Sequence, residues 1–326
     1  MLPRPLLTST FAVHYRKIPI LAIGREIYCD TSLIIEALEH YFPASAGWGS
    51  VYPKFSNGKE GGLDEWTYKG LVRGFASFWT DRPFFRATTG LIPSSVWSSH
   101  FGTDRAQLIG HKLDPAKLEA KIPQNLSTFD LHLSLLEPTF KSNNWAIPTP
   151  TPSLADISLW YQLRWGVDIA AGKGIYNLTG GGTKDTAEDV AGKVFNEKRY
   201  PGLWRWFHAF EKYIDSLPDL ETTVAESDTR WKDALRQSPL LSEEGLLVTA
   251  AVEQHPSLDA QRGLVKGAKV SIAPDDTGRD NPTVGTLVKI GVEEVVITPL
   301  EKAEIEVRVH FPRLGFVVRV VEGSKL

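Results

Sequence analysis

The sequence predicts an α+β protein of several domains, and three changes in its apolar pattern carry that prediction. Residues 1–42 read as two short strands and a helix, residues 66–216 step at helical spacing, and residues 266–326 alternate with a period of two. At 326 residues, 42% hydrophobic and 23% charged, the chain has room for about two or three domains with cores of their own.

In the first zone Ile18 to Ile23 and Glu26 to Cys29 flank Gly24-Arg25, which reads as a tight hairpin. The helix that follows sets Ile34, Leu38, Tyr41 and Phe42 on one face, with Asp30 or Thr31 able to cap its start. Residues 43–65 are rich in Gly, Pro and Ser and read as a linker.

The helical zone carries three apolar stripes: Tyr68, Leu71, Val72, Phe75, Phe78 and Trp79; Leu126, Phe129, Leu133, Leu136 and Phe140; and Leu203, Trp206, Phe207, Phe210 and Ile214. Stripes of this kind need partners, which implies a helical bundle. Gly172 to Asp189 interrupts it with a polar, Gly-rich stretch that lacks phosphate-loop spacing and reads as a surface loop. Residues 217–265 read as a connecting segment.

In the last zone Ile305, Val307, Val309 and Phe311 alternate, as do Phe316, Val318 and Val320, with turn residues Pro312 to Gly315 between them. Val270 and Ile272, Leu287 to Ile290, and Val295 to Ile297 add further strands. The expectation is an independent antiparallel sheet or barrel with a hairpin at Pro312–Gly315.

A net charge of −3 offers no basic face for nucleic acid, and no apolar run approaches the length of a signal peptide or a membrane span. The single cysteine, Cys29, excludes an internal disulfide framework and reads as buried and inert on its strand. The eight histidines show no metal-binding spacing. A cytoplasmic protein with neither nucleic-acid nor membrane partner is the expectation.

The chemistry is expected around Pro19. A proline at a strand entrance removes a ladder donor, and a cis Ile18–Pro19 bond would turn the Ile18 backbone toward an extended peptide ligand. Asp30 and Thr31 fall at a helix start, where free N–H groups and the helix dipole favour a carboxylate. Asp30 for an ammonium and Thr31 for a carboxylate suit a peptide carrying both ends; capping of the helix is the plainer role.

Lys17-Ile18-Pro19-Ile20-Leu21 through Asp30-Thr31-Ser32-Leu33-Ile34-Ile35 resembles the second half of the thioredoxin-like domain of glutathione transferases. Leu135-Leu136-Glu137 and Ser153-Leu154-Ala155-Asp156, the latter an [ST]xx[DE] capping box, resemble that family's C-terminal domain. Tyr200-Pro201-Gly202-Leu203-Trp204 resembles the start of its late helix. The stretch YRKIPILAIGREIYCDTSLII is similar to fungal members, some of which add a C-terminal β module.

The resemblance implies a partial thioredoxin-like N-terminal domain (1–42), a glutathione-transferase-type helical bundle (66–216) and a small antiparallel β module (266–326). It implies glutathione as co-substrate, held by Ile18, Pro19, Asp30 and Thr31, and an apolar small molecule against Phe75, Phe78 and Trp79. A homodimer is among the assemblies it implies. Leu2 to Pro5 resembles the residues that follow the family's first β-α-β. That unit, with its thiol-activating residue, is therefore expected to be absent, leaving strand Ile18–Ile23 an unpaired edge. No catalytic residue stands out. Two readings follow: an enzyme that conjugates or isomerises small electrophiles with glutathione, or a non-catalytic binding or assembly protein that reuses the fold.

Overall fold

The computed structural model describes residues 4–54, 65–179, 181, 184–185, 189–222, 227–248 and 250–321. Much of the expected linker, most of the triple glycine and its neighbours lie outside the described residues. The chain opens with α1 (Pro5–Phe11), β1 (Ile20–Ile23), β2 (Glu26–Cys29) and α2 (Thr31–Tyr41). Helices follow as α3 (Glu65–Gly74), a π-helical stretch (Phe75–Phe84), α4 (Phe85–Thr89), α5 (Ser94–Trp97), α6 (His100–Ile109) and α7 (Pro115–Ala120). Then come α8 (Ile122–Phe140), α9 (Leu154–Ala170), α10 (Ile175–Leu178), α11 (Pro201–Asp215) and α12 (Arg230–Gln237). Five strands close the chain: β3 (Lys269–Pro274), β4 (Thr283–Ile290), β5 (Glu294–Pro299), β6 (Arg308–Pro312) and β7 (Phe316–Val320).

These elements form two compact units, one of Met1–Gly49 with Glu221–Leu326 and one of Ser50–Leu220. In the first, all seven strands make one sheet in the order β1-β2-β6-β5-β4-β3-β7. The C-terminal strands are therefore not the independent module their alternation suggests. β6 pairs in parallel with β2, setting Glu26, Ile27 and Tyr28 beside Arg308, Val309 and His310. The reason lies in β2, whose four residues are all buried, so that both its edges and both its faces need cover.

The expected hairpin at Pro312–Gly315 is corrected as well. β7 pairs with β3, so β6 and β7, consecutive in the chain, are separated by β5, β4 and β3 in the sheet. A connection of only three residues between them requires the sheet to curl, and the Phe311 and Phe316 rings meet at 5.8 Å. Ile305 and Val307 are buried ahead of β6 rather than in a strand; the Ile305 N–H donates to the Thr10 carbonyl at 3.1 Å.

One face of the sheet carries the larger core, in which Ile27, Cys29, Val270, Ile272, Val295, Ile297, Val309 and Phe311 meet Phe11, Val13 and Tyr15 from the N-terminal segment. The other face packs Tyr28 against Leu33, Ile34 and Ala37 of α2 and against Val248. The buried side of α2 thus differs from the expected stripe. Leu33, Ile34, Glu36 and Ala37 are inside, while Leu38 and Phe42 remain about 40% exposed.

The helical unit is built around Phe84, Phe129, Leu133, Phe140, Leu159, Leu163, Leu203, Trp206 and Phe210, all at most 1% exposed. Two buried carboxylates organise its helix starts. Ser153 and Asp156 form the capping box of α9. Asp156 Oδ2 accepts the N–H and the hydroxyl of Ser153, each at 2.9 Å, while Oδ1 accepts the Ala146 N–H at 2.7 Å and the Trp206 indole at 2.9 Å. Glu137 of α8 accepts the Gly202 and Leu203 N–H groups at 2.8 and 3.0 Å and so caps α11 from outside that helix. Gly202 is required there, because a Cβ would stand 2.9 Å from the Phe140 backbone.

Ser153→Ala is expected to cost about 0.5–2 kcal/mol of stability in urea unfolding. Asp156→Ala is expected to cost more than about 3 kcal/mol, since buried donors left without an acceptor cost about 1–3 kcal/mol each. Equal losses in the two variants would show that Asp156 acts only as a cap.

Candidate functional site

The β1–β2 pairing ends at Ile20 and Cys29, and the four predicted binding residues lie just beyond it, Ile18 and Pro19 before β1 and Asp30 and Thr31 after β2 at the start of α2. Ile18–Pro19 is cis. Ile18, Pro19 and Thr31 are exposed and Asp30 is half-buried. Among the described residues, neither the Ile18 N–H and C=O nor the Thr31 N–H and hydroxyl has a hydrogen-bond partner.

Asp30 is the most constrained member. Its backbone stands at φ 74°, ψ 135°, outside the conformations an L-residue ordinarily adopts. Its side chain caps α2: Oδ1 accepts the Ser32 N–H at 3.1 Å and the Ser32 hydroxyl at 2.6 Å. Oδ2 accepts the Tyr15 hydroxyl at 3.0 Å. A carboxylate offers about four acceptor positions, so one is left on Oδ2 for an incoming donor. Tyr15 is buried and its phenol is pushed far up, first by burial and then by the Asp30 charge, so it stays a neutral donor to Asp30. Sequence reasoning missed Tyr15, which lies 15 residues upstream and whose ring packs beside Phe311 and Phe316. Ser32 was legible only as part of the Asp30-Thr31-Ser32 run.

Phe75, Phe78 and Trp79, expected to line an apolar pocket, belong to the helical unit and fall in its π-helical stretch. Phe75 stacks on Trp79 at 5.0 Å, Trp79 on Phe84 at 5.3 Å, and Phe84 on Phe129 at 6.0 Å. The π-helix hydrogen-bonds i to i+5, which lays Trp79 over Phe84 five residues on. Phe75 and Trp79 are thus packed against the core, whereas Phe78 leaves the stripe and is 51% exposed. His132 of α8 meets Trp79 and Phe84 edge-on, and burial lowers its pKa.

A second group escaped the sequence reading. Glu26 of β2, Glu294 of β5 and His310 of β6 are at most 2% exposed and bonded to one another on the α2 face of the sheet. Among the described residues, no group of three or more His, Cys, Asp or Glu side chains is arranged to hold a metal ion. No helix of the described residues is long and apolar enough to cross a membrane.

A family model described as "Domain of unknown function (DUF7962)" matches residues 87–177, within the helical unit. No curated protein matches the chain. Among solved structures, a glutathione-transferase-like protein from Pseudomonas syringae is 22% identical with a TM-score of 0.55, covering 98% of this chain and 87% of its own. The β-etherase LigF from Sphingobium sp. strain SYK-6 is 15% identical with a TM-score of 0.37, over 62% of this chain and 75% of that one. The chain has a glutathione-transferase-like fold of mixed α and β structure.

Cys29 is fully buried, and desolvation followed by the neighbouring Asp30 charge raises its thiol well above the ordinary value. The native protein is therefore expected to leave a disulfide reagent such as Ellman's unreacted, with one thiol appearing on denaturation. Rapid labelling of the native protein would show that Cys29 is accessible.

Proposed function

We propose that the chain is a glutathione-transferase-like protein whose sheet unit holds the γ-glutamyl end of glutathione. The observation that carries this reading is Asp30. A non-glycine residue held at positive φ costs on the order of 1–3 kcal/mol and persists only where its surroundings over-determine it. Tyr15 and Ser32 do so here, and they aim a charged, half-buried carboxylate beside polar groups that nothing else engages. In this reading the Asp30 carboxylate takes the γ-glutamyl ammonium. The Thr31 hydroxyl and N–H, at the positive end of the α2 dipole, take the α-carboxylate. The Ile18 N–H and C=O beside Pro19 pair with the peptide backbone.

The reaction class that follows is conjugation or isomerisation of a small electrophile by a bound thiolate. The alternative, glutathione binding without catalysis, is favoured by two observations: Cys29 is buried, and the Tyr15 hydroxyl is committed to Asp30. Neither is placed to lower the pKa of a bound thiol.

Asp30→Asn tests the binding step, because an amide oxygen still caps α2 while the charge is lost. Calorimetric titration is expected to show glutathione affinity falling about 10- to 100-fold, the worth of a hydrogen bond to a charged group. Cysteinylglycine, which lacks the γ-glutamyl group, is expected not to compete. Unchanged affinity in Asp30→Asn and in Thr31→Val would end this reading. Turnover of a general aromatic electrophile by the wild type then separates enzyme from binder.

A further inference from the structure

On the α2 face of the sheet, His310 Nδ1 lies 2.5 Å from Glu294 Oε1 and Nε2 lies 2.9 Å from Glu26 Oε2. The other oxygen of each carboxylate faces the same loop. Glu26 Oε1 accepts the Leu241 N–H at 2.9 Å, and Glu294 Oε2 accepts the Val248 N–H at 2.8 Å. Residues 241–248 are thus held at both ends by two carboxylates that share one imidazole.

The contacts count protons. A neutral imidazole has one N–H and one lone pair, so with two carboxylates one contact becomes lone pair against lone pair in a site closed to water. Both contacts are hydrogen bonds only when the three groups hold two protons, and an imidazolium between two carboxylates supplies them.

We propose that residues 241–248 form a strap whose fastening depends on one proton: doubly protonated His310 lets Glu26 and Glu294 hold both ends, and loss of that proton sets one of the two carboxylates against an imidazole lone pair and loosens the end it holds. The groups facing His310 are few. β2 contributes Glu26 and Tyr28, whose ring stacks on the imidazole at 4.2 Å; β5 contributes Glu294; β6 contributes Arg308, 3.8 Å from Glu26. α2 contributes Tyr41, bonded to the Tyr28 hydroxyl, and carries the buried Glu36, while Glu243 and Glu244 of the strap are exposed. Burial alone would lower the imidazolium pKa, but the hydrogen bonds to Glu26 and Glu294 override it and hold it above the usual histidine range. Because the folded-state value is the raised one, the fastening is complete below the ordinary histidine pKa and is lost as pH rises through the raised value. Val248 is the strap residue that packs with Tyr28, Leu33, Ile34 and Ala37, so release uncovers the packing under α2.

The test is amide hydrogen exchange of the full chain against pH, read as protection factors so that intrinsic base catalysis cancels. Alongside it, 15N-histidine spectra report the protonation of His310. The expected result is a doubly protonated His310 below the ordinary histidine pKa and, as pH rises, a step in the protection of Leu241 or Val248 that follows its deprotonation. Beyond that step, protection should fall about tenfold per pH unit, the slope for one proton. Glu294→Gln keeps an acceptor for Val248 but removes one anion, so the step is expected at lower pH. A neutral His310 below the ordinary histidine pKa, unchanged protection of both amides as it deprotonates, or an unmoved step in Glu294→Gln would each overturn the proposal.

Discussion

β2 is the strand on which the sheet unit depends, because both of its edges are paired and both of its faces are covered. Its parallel pairing with β6 joins residues about as far apart as the chain allows: Glu26 and His310 are separated by 284 positions. Closing so long a loop is entropically unfavourable, although the cost grows only slowly with length. Apolar burial on the other side of β2 repays part of it, through Ile27 and Cys29 against Val309, Phe311 and Tyr15. The N-terminal segment adds to the closure, since the carbonyls of Ser9 and Thr10 accept the N–H groups of Glu304 and Ile305. The first and last parts of the chain therefore stand or fall as one cooperative unit, and a change in either should be felt in both.

The buried charges gathered at that strand from β2, β5 and β6 serve geometry more than net stability. Taking Glu26, Glu294, His310 and Arg308 out of water costs several kcal/mol per ion, and their mutual attraction offsets this only when every lone pair and proton is used. Here each oxygen of the two glutamates has a partner, and Arg308 adds a bond to the Leu241 carbonyl at 3.0 Å. Such a network tolerates little displacement. It sets β2, β5 and β6 in one register and the strap in one position, with Asp30 only four residues beyond Glu26.

Period was legible in the sequence; partners were not. The alternation of Val309 and Phe311 marks β6, and the spacing of Phe129, Leu133, Leu136 and Phe140 marks α8, because local repeats report which side of an element is apolar. Arg308 and His310 occupy the opposite phase. Those two side chains lie under the strap and bond to it or to the glutamates that hold it, which no local pattern discloses. The hairpin inferred at Pro312–Gly315 failed for a related reason: turn chemistry predicts a turn, but whether the flanking strands pair depends on the curl of the whole sheet. The stripe holds at Tyr68, Val72, Phe75 and Trp79 but not at Leu71, 65% exposed in α3, or at Phe78 in the π-helical stretch that follows. The Asp30-Thr31 pair was visible as a helix start, yet its support by Tyr15 comes through the fold.

The two units solve one problem with different means. Each must satisfy backbone N–H groups inside a core, and each recruits carboxylates to do it. In the helical unit Asp156 caps the start of α9 with four donors on its two oxygens, and Glu137 reaches from α8 to the start of α11, where it is buried and accepts two N–H groups. Asp30 also caps a helix, but it is half-buried and held in a costly backbone conformation, and it keeps an acceptor position that its own helix does not use. A cap needs neither the strain nor the spare lone pair. Because a shared fold does not decide function, that excess over structural need is the physical ground for proposing Asp30, rather than the better-buried carboxylates, as a binding group.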